Sequence, residues 1–324
     1  MAKFKIFVDG REGTTGLEID GRLAGRDDIE ILAIDPKKRK DPNEKKKYMN
    51  SADVVFLCLP DEAAVESAAL VDNPETRVID ASTAHRVADG WVYGLPELSS
   101  EHRQNVQKAK RLSNPGCFAT GFAALMYPLV KEHIIPAAYP VCCHSVTGYS
   151  GGGRRLIEMF ESRENEKKWN SPCFYALNLR HKHLPEMQKH SRLEKAPIFT
   201  PIIGKYYRGM TVAVPLCLDQ PGIKANAAQI NEFYRDYYHG ENFVKVMPFG
   251  IQGEFEGGYM DAEGCNYTNN LEIMTFGDDE QLLLAARLDN LGKGASGAAV
   301  QNMNIMLGIE ETYGLLTMKG IGEK

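Results

Sequence analysis

Seven cysteines are spread through the 324 residues of this chain, and one of them stands where sulfur can act as a nucleophile. Cys117 follows Asn114-Pro115-Gly116, a turn that ends the short run Lys110–Leu112, and it opens the helical stretch Phe118–Val130. A thiol at a helix N-terminus feels the positive end of the dipole and nearby N–H groups, which lower its pKa and make thiolate available at neutral pH. The same N–H groups can stabilise an oxyanion on a carbonyl under attack. Cys58, Cys142, Cys143 and Cys217 lie inside apolar, strand-like runs and read as small buried hydrophobes. A cysteine nucleophile needs a proton partner, and the richest segment for one is His181-Lys182-His183-Leu184-Pro185-Glu186. In an extended chain His181 and His183 point to one side, Pro185 suits the first turn of a helix, and Glu186 can orient an imidazole from behind. A metal reading of the pair finds no third or fourth ligand at zinc-like spacing, so no metal is expected. His85, His102, His133 and His239 read as ordinary surface or helix residues.

Glycine-rich turns supply the second kind of chemistry. Gly10, Gly13 and Gly16 follow the first apolar run, with Thr14 and Thr15 inside the turn, a spacing that departs from Gly-x-Gly-x-x-Gly. Glycines there let the backbone approach a pyrophosphate, and the helix that follows offers its N-terminus. The second run ends at Asp35, where an acid can hold an adenosine ribose, but Lys37, Lys38, Arg39 and Lys40 follow. That cluster suits the 2′-phosphate of NADP; a solvated charged loop is the other reading, since Lys45–Lys47 continue the charge run. Two later loops combine glycines with arginine or lysine: Thr147–Arg155 fits an anionic substrate or a flexible connector, and Asp289–Gly297 fits cofactor contact or tight packing.

The elements that must carry these groups fall into two patterns. Phe4–Val8, Ile29–Ile34, Val54–Leu59 and Arg77–Ile79 read as short buried strands, alternating with helices at Thr15–Arg26 and Asp61–Val71, the latter capped by Asp61. This is the order of βαβ units in a doubly wound parallel sheet. From about Pro140 the texture changes: Val141–Val146 and Met210–Leu218 alternate as strands around a polar stretch, Glu158–Ser171, which predicts a mainly antiparallel second domain. Ser296–Leu307 is helical again. Hydrophobic residues at 43% and charged residues at 25% rule out wholesale disorder. A net charge of −5 supplies no global attraction to nucleic acid or anionic membranes. The longest apolar runs, Val54–Leu59 and Ala123–Val130, fall far short of the roughly 20 residues of a membrane span. Lys3, Lys5 and Asp9 break any signal-peptide core, and an odd number of cysteines in a long chain suggests free thiols, so a cytoplasmic protein is expected.

Several motifs recur in one order: Val8-Asp9-Gly10-Arg11-Glu12-Gly13-Thr14-Thr15-Gly16, Asp80-Ala81-Ser82-Thr83-Ala84-His85-Arg86, Tyr93-Gly94-Leu95-Pro96-Glu97-Leu98, Asn114-Pro115-Gly116-Cys117, Gly148-Tyr149-Ser150-Gly151, His181–Glu186, Gly209-Met210 and Asp289–Ala295. In these, and over nearly its whole length, the chain resembles the N-acetyl-γ-glutamyl-phosphate reductases of arginine biosynthesis, in their shorter branch. The resemblance implies an α/β protein. Its parts would be a Rossmann-type dinucleotide-binding domain, residues 1–116 rejoined by 290–324, and a glyceraldehyde-3-phosphate dehydrogenase-like α+β catalytic domain, residues 117–289. It implies NADPH-dependent reduction of an acyl phosphate, with Cys117 forming a thioester, His183 as acid/base ahead of His181, and Glu186 behind it. Gly10, Gly13, Thr14, Thr15, Gly16, Asp35, Lys37, Asn290, Lys293 and Gly294 are the implied cofactor residues. Ser82, Arg86, Asn114, Ser150, Gly151 and Arg154 are the implied substrate residues; Arg155 is an alternative anion ligand, and Arg208 has no assigned role. A homodimer or homotetramer built through the second domain's sheet is implied, with neither nucleic acid nor membrane as partner. The rival readings are aspartate-semialdehyde dehydrogenase, a dinucleotide-binding regulatory protein with an inert site, and a Cys-His hydrolase.

Overall fold

The computed structural model describes residues 3–11, 13–39, 41–162 and 169–316, so Glu12, Lys40 and the middle of the polar stretch 158–171 lie outside the described residues. The chain divides into two compact units, residues 1–116 with 295–315 and residues 117–294 with the chain end from Leu316. Asn290, Lys293 and Gly294 therefore group with the second unit.

In the first unit β1 (Phe4–Asp9), β2 (Ile29–Ile31), β3 (Val54–Leu57), β4 (Arg77–Asp80), β5 (Val92–Tyr93) and β6 (Arg111–Ser113) form a parallel sheet in the order β2-β1-β3-β4-β6-β5. β3 is buried at every position, as apolar strands are when both faces of a sheet are covered. Helices α1 (Thr14–Leu23), α2 (Pro42–Ser51), α3 (Asp61–Ala69) and α4 (Ser100–Lys108) lie between the strands along the chain. The chain leaves β1 for β2 on one side and returns to β3 on the other, so the strand order reverses between β1 and β3, the switch point at which such sheets bind ligands.

Local chemistry moves several boundaries. β2 ends at Ile31, where its ladder with β1 stops, and does not run to Ile34. Asp61 does not cap α3: Pro60 holds that position, and the Asp61 carboxylate accepts from the N–H of Thr83 at 2.9 Å and from its hydroxyl at 2.5 Å. Lys45–Lys47 are not a solvated loop but belong to α2, which Asp41 caps by accepting from the N–H groups of Asn43 and Glu44 while Pro42 opens the first turn. An Asp-Pro pair is a helix-start signal, here masked by the lysines behind it.

The second unit begins with α5 (Cys117–Lys131) and continues through β7 (Cys142–Gly148), α6 (Gly153–Glu161), β8 (Cys173–Phe174), α7 (Leu184–His190), β9 (Ile198–Gly204), β10 (Met210–Cys217), α8 (Ala227–Tyr237), β11 (Val244–Val246), β12 (Leu271–Gly277) and β13 (Gln281–Leu288). The ninth helix, α9 (Gly297–Leu307), belongs to the first unit. The sheet runs β11-β12-β13-β10-β7-β9-β8, parallel at β11/β12 and β7/β9 and antiparallel at its other pairs. The sheet is mainly antiparallel, as expected, with two parallel pairs among its six.

α5 is buried from Phe118 to Val130, which is why its sequence is apolar on all sides. Gly121 lets it lie close on β10, since a Cβ there would come within 2.8 Å of the Val212 side chain. Pro128 has no N–H to offer the Ala124 carbonyl four residues earlier; Tyr238 Oη supplies that bond at 2.7 Å, and Tyr234 Oη serves Leu125 at 2.5 Å. The helix that presents Cys117 is therefore fixed along its length.

Candidate active site

Cys117 is the first residue of α5 and is half-buried, its side chain against the main core of the second unit. Gly294 presses on it from another segment: a Cβ on Gly294 would come within 2.7 Å of Cys117 Cβ. Phe118, the next residue, places its ring 5.7 Å from His181, 5.7 Å from His183 and 5.1 Å from Phe199. The histidine segment is not extended, because His183 has helical backbone angles and stands as the N-cap of α7. The two imidazoles consequently meet edge to face, with centroids 4.8 Å apart, rather than side by side. Pro185 opens α7, and Glu186 is buried in its first turn. The His183 N–H donates to His181 Nδ1 at 3.1 Å, so the ring proton of neutral His181 sits on Nε2.

Tyr175 completes this wall, its ring 5.7 Å from His181. Burial, reinforced by the charge of the Cys117 sulfur, pushes its phenol pKa up, so it stays protonated and can donate. No motif marks Tyr175 in the sequence. The arrangement holds a thiol at a helix N-terminus, two imidazoles and a phenol donor, which is the equipment for acyl transfer through sulfur.

In the first unit a crevice of about 740 Å³ opens at the β1/β3 switch point. Asp9, Gly10, Arg11, Gly13, Leu17, Arg39 and Lys45 are among its lining residues. Gly10 adopts a positive φ of 84°, and a Cβ there would lie 2.2 Å from the Cys58 carbonyl oxygen. A Cβ on Gly16 would meet the Gly10 carbonyl oxygen at 2.4 Å, so Gly16 is a packing glycine rather than a lining one. Gly13 is the N-cap of α1, with no side-chain cap on the first-turn N–H groups and no acidic residue in that turn. Thr14 and Thr15 form that turn. Asp9 is buried at the floor, bonded to Lys45 Nζ and Ser67 Oγ, each at 2.8 Å. Asp35 and Lys37 are exposed and do not line the crevice, because the Asp35 carboxylate turns back to accept the Lys37 N–H at 2.9 Å. Of the basic groups that do line it, Arg39 belongs to the cluster expected at the 2′-phosphate, whereas Arg11 and Lys45 carried no such expectation; Lys45 becomes legible once α2 is recognised.

The other expected site residues are spread over both units. Ser82 donates to Asp80 at 2.7 Å, and Arg86 is buried with its guanidinium on the carbonyls of Asn114 and Ala81. His85 is no surface residue: it is buried, paired with Asp80 at 2.6 Å and stacked on Trp91 at 3.8 Å between centroids. Asn114 donates to the Ala295 carbonyl. In the second unit Asn290 donates to Ser150 Oγ at 2.9 Å and accepts the Gly209 N–H at 2.8 Å, with Gly151 alongside. Lys293 is fully buried, its Nζ 5.9 Å from the centre of the Phe243 ring. Arg154 is exposed and pairs with Glu158 along α6 at 2.8 Å. Among the described residues no group of His, Cys, Asp and Glu is placed to hold a metal ion, and no helix is long and apolar enough to cross a membrane.

A parallel sheet with a glycine-rich turn at its switch point, joined in one chain to a unit that carries a helix-terminal cysteine and a pair of imidazoles, defines an oxidoreductase of the dinucleotide-binding class. Residues 13–106 match the semialdehyde dehydrogenase NAD binding domain, and residues 117–290 match the semialdehyde dehydrogenase dimerisation domain. The chain belongs to the semialdehyde dehydrogenase family and, within it, to the N-acetyl-γ-glutamyl-phosphate reductases. A protein named N-acetyl-γ-glutamyl-phosphate reductase 2 from Nostoc sp. is 46% identical over 97% of this chain and 100% of its own. Its namesake from Pseudomonas putida is 44% identical over 95% of this chain and 98% of its own. Among solved structures, Vibrio cholerae aspartate semialdehyde dehydrogenase II complexed with ASA matches with a TM-score of 0.71 at 14% identity, over 95% of this chain and 99% of that one. Candida albicans aspartate semialdehyde dehydrogenase with NADP matches with a TM-score of 0.63 at 14% identity, over 94% and 99%. At that identity the likeness is one of fold.

Proposed function

We propose that this chain reduces N-acetyl-γ-glutamyl phosphate to N-acetylglutamate semialdehyde, releasing phosphate, with NADPH as reductant in arginine biosynthesis. One observation carries the reading: a chain whose close relatives bear that name places Cys117 at the N-terminus of a buried helix, with His181, His183 and Tyr175 in the same unit. The Cys117 thiolate attacks the acyl carbon and the C–O bond to phosphate breaks, leaving a thioester on sulfur. The α5 N-terminus and the Tyr175 hydroxyl offer donors to the oxyanion that forms. NADPH, when held in the crevice of the first unit, would supply the hydride for reduction at that acyl carbon. His183 moves the protons at the developing alkoxide, and collapse returns the electron pair to sulfur and frees the aldehyde. The crevice fits the dinucleotide because Gly10, at positive φ and packed directly on the Cys58 carbonyl, brings the turn's backbone to the crevice wall, and the α1 N-terminus faces no acid of its own first turn.

Arg39 lines that crevice where Lys37 does not, which makes it the residue for the 2′-phosphate. Arg39→Ser is expected to raise the KM for NADPH by about ten- to a hundredfold, the worth of one charge-assisted contact, with KM for NADH within about twofold. Steady-state kinetics with both cofactors checks it; equal losses would remove Arg39 from that role. The outer face of the second sheet supports a homodimer or homotetramer: Pro215 and Cys217 on β10, Leu283 on β13 and Ile198 on β9 alternate outward with buried Val214, Leu216, Leu284 and Phe199. Seven free cysteines suit the cytoplasm. The deciding assay follows phosphate-dependent NADP reduction with two aldehydes. Turnover with N-acetylglutamate semialdehyde and not aspartate semialdehyde is expected; the reverse preference, or activity without a nicotinamide cofactor, overturns the assignment.

A further inference from the structure

Asp289 has no part in the chemistry just described, yet it is fully buried and all its acceptors are engaged. Its Oδ1 takes the Leu291 N–H at 2.9 Å, and its Oδ2 takes the Tyr267 N–H at 2.8 Å and faces Arg208 Nη1 at 3.3 Å. Its carbonyl takes the N–H groups of Gly292 at 3.1 Å and Gly294 at 3.0 Å. One residue therefore folds the turn 289–294. That turn is wedged: a Cβ on Gly292 would meet the Thr268 carbonyl oxygen at 2.3 Å, and a Cβ on Gly294 would meet Cys117 Cβ at 2.7 Å. Glycine is required at both positions because the backbone runs through the space a side chain would take.

Arg208 anchors the other side. It is buried, with its guanidinium carbon 4.5 Å from the centre of the Tyr267 ring. The Arg208 carbonyl takes Asn266 Nδ2 at 3.0 Å, and the next N–H, Gly209, goes to Asn290 Oδ1 in the same turn. A buried Arg–Asp pair is a poor source of net stability, since desolvation offsets much of its attraction, so its presence here calls for a use in specifying geometry.

We infer that Asp289, held by Arg208, is a positioning residue: it locks the 289–294 turn against Cys117 and so fixes the direction in which the sulfur meets the acyl carbon. The inference rests on Cys117 being the nucleophile. Asp289→Asn keeps the shape but turns one acceptor into an NH2 donor facing either the Leu291 N–H or the Tyr267 N–H and Arg208, so the turn loosens. A sulfur displaced by less than an ångström costs on the order of ten- to a hundredfold in rate.

The test compares Asp289→Asn and Gly294→Ala with the unmodified full chain. In both variants kcat is expected to fall by about ten- to a hundredfold with KM for the aldehyde within about threefold, and the pH profile of Cys117 alkylation by iodoacetamide is expected to shift. A lower melting temperature with an unmoved alkylation profile and unchanged kcat in the folded fraction overturns the inference. Should Asp289→Asn fail to fold, Gly294→Ala, which adds one methyl group at the contact itself, decides on the same two readings. Cys117→Ser is assayed in parallel: if it retains turnover the nucleophile reading fails, whereas an inactive Cys117→Ser beside a fully active Gly294→Ala refutes the positioning role alone.

Discussion

Cys117→Ser is expected to lower kcat by at least about three orders of magnitude, because a serine hydroxyl is neither ionised at neutral pH nor a leaving group comparable with thiolate. The loss should appear in kcat rather than KM, since the sulfur acts on the reacting carbon and contributes little to ground-state binding. Its companion is chemical labelling. Iodoacetamide at pH 7 is expected to modify Cys117 ahead of Cys217, although Cys217 is the more exposed, because Cys117 lies at the α5 N-terminus and Cys217 on a strand. Cys143 and Cys265 should stay unlabelled in the folded protein: burial pushes the Cys143 thiol up to about 12 and the Cys265 thiol up as well, so both remain protonated and out of reach. A serine variant within tenfold of the parent, or labelling of Cys117 no faster than Cys217, would remove Cys117 from the mechanism.

Cys117 was legible because its signal is local: a Pro-Gly turn, then a cysteine, then an uninterrupted helical run, and the helix begins at that residue. His183 and Glu186 were legible for the same reason, Pro185 marking the start of α7. The alternation of runs likewise carried the parallel sheet of the first unit. What failed was whatever depends on chain segments meeting from far apart. Gly294 reaches Cys117 across most of the second unit's sequence, and Tyr175 joins the wall from a segment with no periodicity to mark it. Charge alone does not say what a side chain faces. Lys293, expected at the cofactor, lies buried over Phe243, and Arg154, expected at a substrate anion, lies exposed beside Glu158. Sequence names a charged group, whereas tertiary packing decides whether it faces a ligand, a partner or water.

The largest effect expected on stability lies at Arg287. It stands opposite Glu272 in the β12/β13 ladder, with Nη2 at 2.6 Å and Nε at 3.0 Å from one carboxylate oxygen, and both residues are 1% exposed. Glu254 at 3.0 Å and Asp261 at 3.4 Å also reach it, but their side chains are 46% and 66% exposed. Arg287→Met leaves the buried Glu272 with only the longer, 3.6 Å pair to Lys245, whose side chain is 55% exposed, a loss of about 3–5 kcal/mol. Glu254→Gln and Asp261→Asn break pairs that water already screens, each expected at under about 1 kcal/mol. The double replacement Arg287→Met with Glu272→Leu should recover most of the loss, since it also takes away the carboxylate left with one weak, solvent-screened partner. Urea midpoints at constant slope measure all four, and an Arg287→Met variant no less stable than Glu254→Gln would show that the carboxylate finds water instead. The comparison also separates two arginines of one unit. The Asp289 carboxylate bonds to Leu291, Tyr267 and Arg208 and not to Arg287, so the folded fraction of Arg287→Met is expected to keep its kcat within about threefold. Asp289→Asn, changed two residues further along the same chain, should lose rate first and stability second.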